Sequence, residues 1–507
     1  MSVYNPCALS PRYSTEGKVP SMLLGLDLGT TNIKAILANP DGTVLARGSA
    51  PVHLLHVGEA GVEQDIDEIW RAALAAIGQV GAEHDLRAVR ALGVSSQGAT
   101  LQVVDVQGQP IGKALSWLDT RGLALNQQLT QELGGDWFAR HTGHGESGIS
   151  VGQVLWLNQA QPELLDVCAQ ARTRVSFVGD VIVARLTGEN VHDATSLSIT
   201  GLYNPYADRA DADLLARLGL MESQLPRVCS AQRAAGTLRA EVAACTGLAA
   251  GIPVSPAVHD QYAATLGTGA VHAGDVNVGT GTAWVLLAAG TRPVLPVVAG
   301  AYVCRHVVEG LYGQMLPLGN GGSGLAWALN LLGLSGRSPD EVDALLESVP
   351  AGCDGVRCWP YFTPWLPPGL TTAVAARLTG LRLSHTAAHI LRAELEGMAL
   401  ELGRNLAALT PLGPVGRLVM TGRAAASRVT PQLVADVCGL PVACSPERDT
   451  SALGAVVVAR GLIEPGASLA ALSRSMTPTP RTVEPGDTAP LYRQMLNEFV
   501  KAVLSTE

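Results

Sequence analysis

Two short turns rich in glycine and threonine carry the first chemical signal. Gly29-Thr30-Thr31 follows the apolar run Leu23, Leu24, Gly25, Leu26 and is flanked by Asp27; Gly279-Thr280-Gly281-Thr282 lies half a chain further on. Glycine lets the backbone approach a phosphate so that N–H groups point at its oxygens, and threonine hydroxyls add donors. An aspartate beside such a turn can hold Mg2+ through water, because Mg2+ takes few carboxylates and keeps its hydration shell. Two turns of this kind facing each other across a cleft would clamp a triphosphate; two ordinary hairpins are the alternative. Asp260 is the second signal. It ends a short strand over 253–258, where a carboxylate can accept the proton of an attacking hydroxyl as the P–O bond forms. It equally suits the N-cap of a helix over 261–266. Gln97 and Asp119 each follow a strand and offer the fixed donors and acceptors a polyol pocket needs; turn residues are the plainer reading. Trp117 reads as core rather than as a stacking platform. The Gly319–Gly324 turn, with Gly322 at its centre, precedes a helix over 325–332 and suits close approach to adenine or ribose, or a plain loop.

Strands must position these turns. Met22–Leu28 reads as a buried strand, 33–37 as its hairpin partner, and Asp41-Gly42 as the next turn. Asp27–Leu37 and Asn277–Leu287 share the order strand, Gly/Thr turn, strand, which points to a duplicated α/β unit. In the first half a helix over 68–78 precedes a strand over 91–95, and Leu101–Asp105 ends at a Gln107-Gly108 turn. In the second half a long helix over 387–409, with Ile390, Leu391, Leu395, Met398 and Leu402 at helical spacing, precedes a strand over 417–420. Glycines at 267–274 mark the boundary. The stretch 461–507 reads as helical, interrupted by Pro and Thr at 477–485.

Composition narrows the classes. The 507 residues suffice for two to four domains. Apolar residues make up 47%, charged residues only 16% and aromatics 4%, so small aliphatics fill the core. The net charge of −9 shows no basic stripe, which argues against nucleic acid and against an anionic membrane surface as partners. Mean hydropathy is +0.22, yet the most apolar stretch, 276–304, is broken by Arg292, Pro293, Pro296 and several glycines, so no membrane span is expected. Residues 1–20 are polar and lack the apolar run of a signal peptide; they read as a leader of unknown role. Nine cysteines without a C-x-x-C pair read as reduced buried thiols in a cytoplasmic protein. His385 and His389 lack the glutamate of a zinc protease site. His192 and Asp193 read as a solvated turn.

The ordered set of motifs resembles the FGGY carbohydrate kinases, within the sugar kinase/actin-type ATP-binding fold, over residues 22–461. Asp27-Leu28-Gly29-Thr30-Thr31-Asn32-Ile33-Lys34 is similar to that family's first phosphate motif, and Gly279-Thr280-Gly281-Thr282 to its second. Ser95-Ser96-Gln97-Gly98-Ala99-Thr100, followed by Trp117-Leu118-Asp119-Thr120-Arg121, resembles its sugar-contacting segments. The runs 148–157 and 376–396 resemble its two signatures. Thr421-Gly422-Arg423, continuing to Ser427, with Gln432 and Asp436 on the next helix, resembles its adenosine loop. His259-Asp260-Gln261 resembles the Gly-Asp-Asn or Gly-Asp-Gln segment that supplies the catalytic base.

The resemblance implies an α/β fold of two duplicated actin-like (ribonuclease H-like) domains around a central cleft. An N-terminal domain over 21–270 would bind sugar and carry the base, and a C-terminal domain over 271–507 would bind nucleotide. It implies ATP and Mg2+ as cofactors, a ketose or polyol as acceptor with D-xylulose foremost, and a possible homodimer. A kinase homologue that binds without turnover and an actin- or chaperone-like ATPase are the competing classes; the latter has no need of Gln97, Asp119 and Asp260 together.

Three departures stand out. Xylulokinases usually continue Met-His after Gln97, whereas Gly98-Ala99 follows here, so a sugar-facing imidazole is expected to be absent. Arg423 replaces a glycine of the adenosine loop, where it either strains the turn or contacts phosphate or adenine. Gln153 stands where the first signature has lysine.

Overall fold

The computed structural model describes residues 21–165, 172–281, 283–295, 297, 300–362, 374–409 and 413–504. The leader at 1–20 and Thr282 lie outside these residues. β1 (Met22–Leu28), β2 (Asn32–Ala38) and β3 (Val44–Pro51) form an antiparallel meander. β4 (Val89–Ser96) and β5 (Pro253–His259) add in parallel on the other side of β1, giving the order β3-β2-β1-β4-β5 with a short edge strand, Gly236–Thr237, beyond. Every residue of β1 is buried, which accounts for its nearly unbroken apolar run.

The second half repeats this topology. β6 (Asp275–Thr280), β7 (Trp284–Gly290), β8 (Tyr312–Leu318), β9 (Arg417–Gly422) and β10 (Val442–Cys444) run β8-β7-β6-β9-β10 with the same antiparallel and parallel pairings. The expected duplication is therefore a duplication of sheets. A five-stranded sheet inserted in the first half contains Leu101–Asp105 and Ala114–Leu115, and so carries the segment leading to Trp117.

Helix α1 (Ile66–Gly81) is longer than the expected 68–78, because Asp65 accepts from the Asp67 and Glu68 N–H groups and caps it two residues earlier. Its buried Ile69, Ala73, Ala76 and Ile77 pack on the first sheet. α2 is Asp260–Thr268 and α3 Gly322–Leu331, the latter starting earlier than the expected 325. α4 (Ala387–Ala408) buries Leu391, Leu395, Met398 and Leu402 on the second sheet, as its spacing predicts. The interruption at 477–485 holds a strand, Arg481–Val483, which extends the second sheet through β10. His192 and Asp193 are not in a solvated turn. Both are buried; His192 pairs with Asp180, and Asp193 caps the helix Ala194–Ile199.

α5 (Thr450–Ile463) joins the halves. It follows β10 in sequence but lies across β1, β4 and α2. A Cβ on Gly93 would stand 1.8 Å from the Ala455 carbonyl oxygen, and one on Gly454 1.8 Å from that of Ala263; Gly25 and Gly267 meet Ala452 and Thr450 in the same way. The third core forms around this contact and mixes Leu23, Val258 and Leu266 with Leu453, Val456 and Val457. Three ion pairs bridge the halves beside it: Lys34 to Asp449 at 2.9 Å, and Arg47 to Glu447 at 2.6 Å and to Asp449 at 2.8 Å.

The packing makes opposite predictions for two glycines. Gly93→Ala should lower the thermal unfolding midpoint, at a cost of about 1–3 kcal/mol, because the obstructing atom is backbone. Gly78→Ala, on an exposed face of α1 with open space around it, should raise the midpoint by about 0.5–1 kcal/mol. Equal shifts in the two variants would contradict the close-approach reading.

Candidate active site

The proposed chemistry converges on the C-terminal ends of parallel strands, where open α/β sheets place their ligands. In the first sheet Asp27 pairs in register with Ser95, and His259 with Ser96, so β1, β4 and β5 deliver Asp27, the Ser95–Gln97 segment and Asp260 side by side. In the second sheet Thr280 pairs in register with Gly422, which brings the second Gly/Thr turn beside the adenosine loop. Across the cleft, the Gln261 side-chain oxygen stands 3.1 Å from where a Cβ of Gly279 would lie. A side chain there would press on the Gln261 amide, which would have to shift by a few tenths of an ångström.

Asp27 is buried and accepts a hydrogen bond from Ser95 Oγ at 2.9 Å. Burial, and then the charge of Asp260, push its carboxyl up to about 6, against the pull of Lys34. Asp260 opens α2, with 28% of its side chain exposed. Burial pushes it also up to about 6, opposed by hydrogen bonding to Gln261. The helix N-cap is His259, whose Nδ1 accepts from the Gln261 N–H at 3.3 Å. His259 rather than Asp260 is thus the N-cap residue, while the Asp260 carboxylate, at the first helical position, also accepts from Gln261.

Several other residues brought to this place are already engaged. The Gln97 amide donates to Gln64 and accepts from Thr30 Oγ1 and Thr100 Oγ1 at 3.1 and 3.0 Å, so it fixes the first Gly/Thr turn. The Asp119 carboxylate accepts from the Val62 N–H and pairs with Arg121 at 2.6 Å; Arg121 also pairs with Glu63 and lies over the Trp156 ring. Trp117 is 40% exposed rather than core, and its indole N–H donates to Thr30 Oγ1 at 3.0 Å. Gln153 is buried and donates to the Ser116 carbonyl at 2.8 Å, which supports the Trp117 segment and accounts for an amide at that position.

In the second half, Gly322 donates its N–H to the Gly281 carbonyl at 3.0 Å, placing the start of α3 against the second turn. Gly422 takes the positive φ of 86°, and a Cβ there would meet the Thr280 carbonyl at 2.8 Å. Arg423 opens the following 3-10 turn without a positive φ, so it does not strain the loop; it is exposed and has no ion-pair partner among the described residues. The Ser427 hydroxyl is already engaged: it donates to Asp343 at 2.6 Å. Asp436 holds the Gly486 N–H at 2.6 Å and Gln432, tying down the C-terminal segment. Asn32 donates to Thr31, and Lys34 pairs with Asp449.

Sequence reading missed His259. Its ring lies directly beside Gly98, although the two are 161 residues apart in the chain. The only signal was the histidine itself, in a segment that has glycine in the family pattern.

The raised carboxyls have a measurable cost. Their folded pKa lies above the ordinary value of 3.8, so ionising them destabilises the fold above about pH 6 and has no effect below about 3.8. Asp27→Asn, whose amide oxygen still accepts from Ser95, should raise the unfolding midpoint at pH 7.5, with the gain fading as the pH falls to 4. A gain independent of pH would contradict the assignment.

Comparison with known proteins fits this architecture. Residues 22–267 match the N-terminal domain, and residues 276–460 the C-terminal domain, of the FGGY family of carbohydrate kinases. A glycerol kinase of Trichlorobacter lovleyi is 30% identical over 451 residues, covering 87% of this chain and 89% of its own. A gluconokinase of Bacillus licheniformis is 26% identical over 501 residues, 95% of each chain. The crystal structure of a xylulose kinase from Rhodospirillum rubrum superposes with a TM-score of 0.84 at 28% identity, covering 96% of this chain and 98% of that one. Two family domains in order, on two sheets of the same topology, leave one conclusion: the chain belongs to the FGGY family of carbohydrate kinases, phosphotransferases that act on an alcohol group.

Proposed function

We propose that the protein transfers the γ-phosphoryl group of ATP to a terminal hydroxyl of an uncharged ketose or polyol, with D-xylulose as the first acceptor to test. The observation that carries this reading is the Asp260 carboxylate: partly exposed, at the start of α2 rather than at its N-cap, and near enough to Asp27 for its charge to raise that carboxyl. Arg121 and Lys34, the cations near the first-half residues, are already paired with carboxylates, which favours a neutral acceptor over a sugar acid. The likeness to a xylulose kinase supports the choice of ketopentose.

In this reading the acceptor lies against the first half and the nucleotide against the second. Asp260 takes the hydroxyl proton as the oxygen attacks phosphorus in line. The backbone of Gly29–Thr31 and Gly279–Gly281 holds the phosphates, with Gly322 behind them. A buried carboxylate raised further by the charge of its neighbour Asp260 suits a divalent cation, and Asp27 is the residue that would hold it. No cluster of three metal-ligating side chains occurs among the described residues, as suits an Mg2+ that keeps waters and phosphate oxygens as its other ligands. Bound there, the cation would neutralise phosphate charge. Arg423 offers its guanidinium to the nucleotide phosphates. No helix among the described residues is long and apolar enough to cross a membrane, and we place the activity in the cytoplasm.

The test is ADP release with Mg-ATP against D-xylulose, other ketoses, glycerol and D-gluconate. D-Xylulose should support turnover that rises with pH through about 6, and Asp260→Asn should lose roughly 100- to 10,000-fold in kcat. Acceptor-independent ADP release that survives in Asp260→Asn would refute the assignment of the base. Arg423→Ala should raise the KM for ATP without changing that for the acceptor; identical ATP binding would remove its role.

A further inference from the structure

His259 is an imidazole in a place made for it. A Cβ on Gly98 would stand 2.4 Å from its Cδ2 and 2.5 Å from its Nε2, so only glycine at 98 admits the ring. The ring is held from three sides. Its backbone N–H donates to Thr195 Oγ1 at 3.0 Å, and Thr195 is in turn fixed by Asp193. Its Nδ1 accepts from the Gln261 N–H. Tyr262 lies edge-on, with ring centroids 5.9 Å apart. Because Nδ1 is an acceptor, the proton of the neutral ring sits on Nε2. Burial, and then the neighbouring His192 of the Asp180 pair, push its pKa down to about 3, so the ring stays neutral across the working range. The Nε2–H has no partner among the described residues, although the ring is only 5% exposed and its Nδ1 lies 3.5 Å from the Asp260 carboxylate. A rigid donor without a partner, on a nearly buried ring yet not itself sealed from solvent, next to the carboxylate that faces the acceptor, is what a polar substrate oxygen completes.

We propose that Gly98 and His259 act as a unit that reads the acceptor: Nε2–H donates to an oxygen of the substrate adjacent to the hydroxyl that Asp260 deprotonates. This rests on the kinase reading of the site given above. The pair sets specificity as well as affinity, since an acceptor lacking that oxygen leaves the donor unsatisfied.

Steady-state kinetics with D-xylulose, glycerol and D-gluconate as probes test this in the wild type, His259→Leu, His259→Gln and Gly98→Ala. For whichever probe is phosphorylated, His259→Leu and Gly98→Ala should raise the acceptor KM roughly tenfold, the equivalent of one hydrogen bond, and leave the KM for ATP unchanged. His259→Gln, which keeps a donor, should recover most of the loss. A purely structural role as helix cap would instead lower kcat and the unfolding midpoint without moving the acceptor KM, and that result overturns the proposal while the kinase reading stands. If Gly98→Ala does not fold, the leucine and glutamine variants decide the matter alone. Phosphorylation of none of the three probes by the wild type overturns the reading of the site and the role of His259 with it.

Discussion

Helix α5 belongs by connection to the second half of the chain and by contact to the first. Its backbone lies directly on β1, β4 and α2, with nothing larger than a glycine hydrogen between them at Gly25, Gly93, Gly267 and Gly454. Side chains at those points would hold the halves apart by the thickness of a methyl group or more. The strand ends that carry Asp27 and Asp260 on one side and Thr280 and Gly422 on the other reach a common cleft because this approach is so short. The ion pairs from Lys34 and Arg47 to Asp449 and Glu447 reinforce it at the edge, but the backbone contact sets the distance.

Around the cleft, most polar groups serve to hold other groups. Gln97 and Trp117 pin the first turn through Thr30, and Asp119 anchors Arg121. Gln153 supports the segment before Trp117. Against this background the Asp260 carboxylate is partly exposed, and the His259 Nε2–H and the Arg423 guanidinium have no partner among the described residues. Each lies at a strand end or helix start, where side chains leave the regular ladder and face the gap between the sheets. Preorganisation of this kind lets a site discriminate by leaving wrong ligands with unmatched polar groups.

Much of the fold was legible in the chain. The uninterrupted apolar run of β1, the helical spacing of α4 and the paired Gly/Thr turns each obey a local rule that tertiary structure did not override. The errors fell where a rule is blind to what lies across the fold. His192 and Asp193, polar and next to Glu189 and Asn190, look solvated until Asp180 is seen to come from a preceding helix to meet them. Trp117 looks like core because large aromatics usually are, yet it roofs a turn. The hydrogen-bond partners of Gln97 and Asp119 come from segments up to 68 residues away, and no spacing rule reports that an amide is already satisfied. The pairing of Gly98 with His259 spans still more of the chain and is visible only in space.

The position of α5 also bears on how the molecule is made. The face of β1 and β4 that receives it is complete in sequence by residue 96, but its cover begins at residue 450. At typical rates of synthesis, roughly 20–70 s separate the two on the ribosome. Throughout that interval the glycine-notched face of the first sheet lacks α5, although α2, which shares the same core, is complete by residue 268. The core that α5 shares with β1, β4 and α2 is therefore completed only when residues 450–463 have been made.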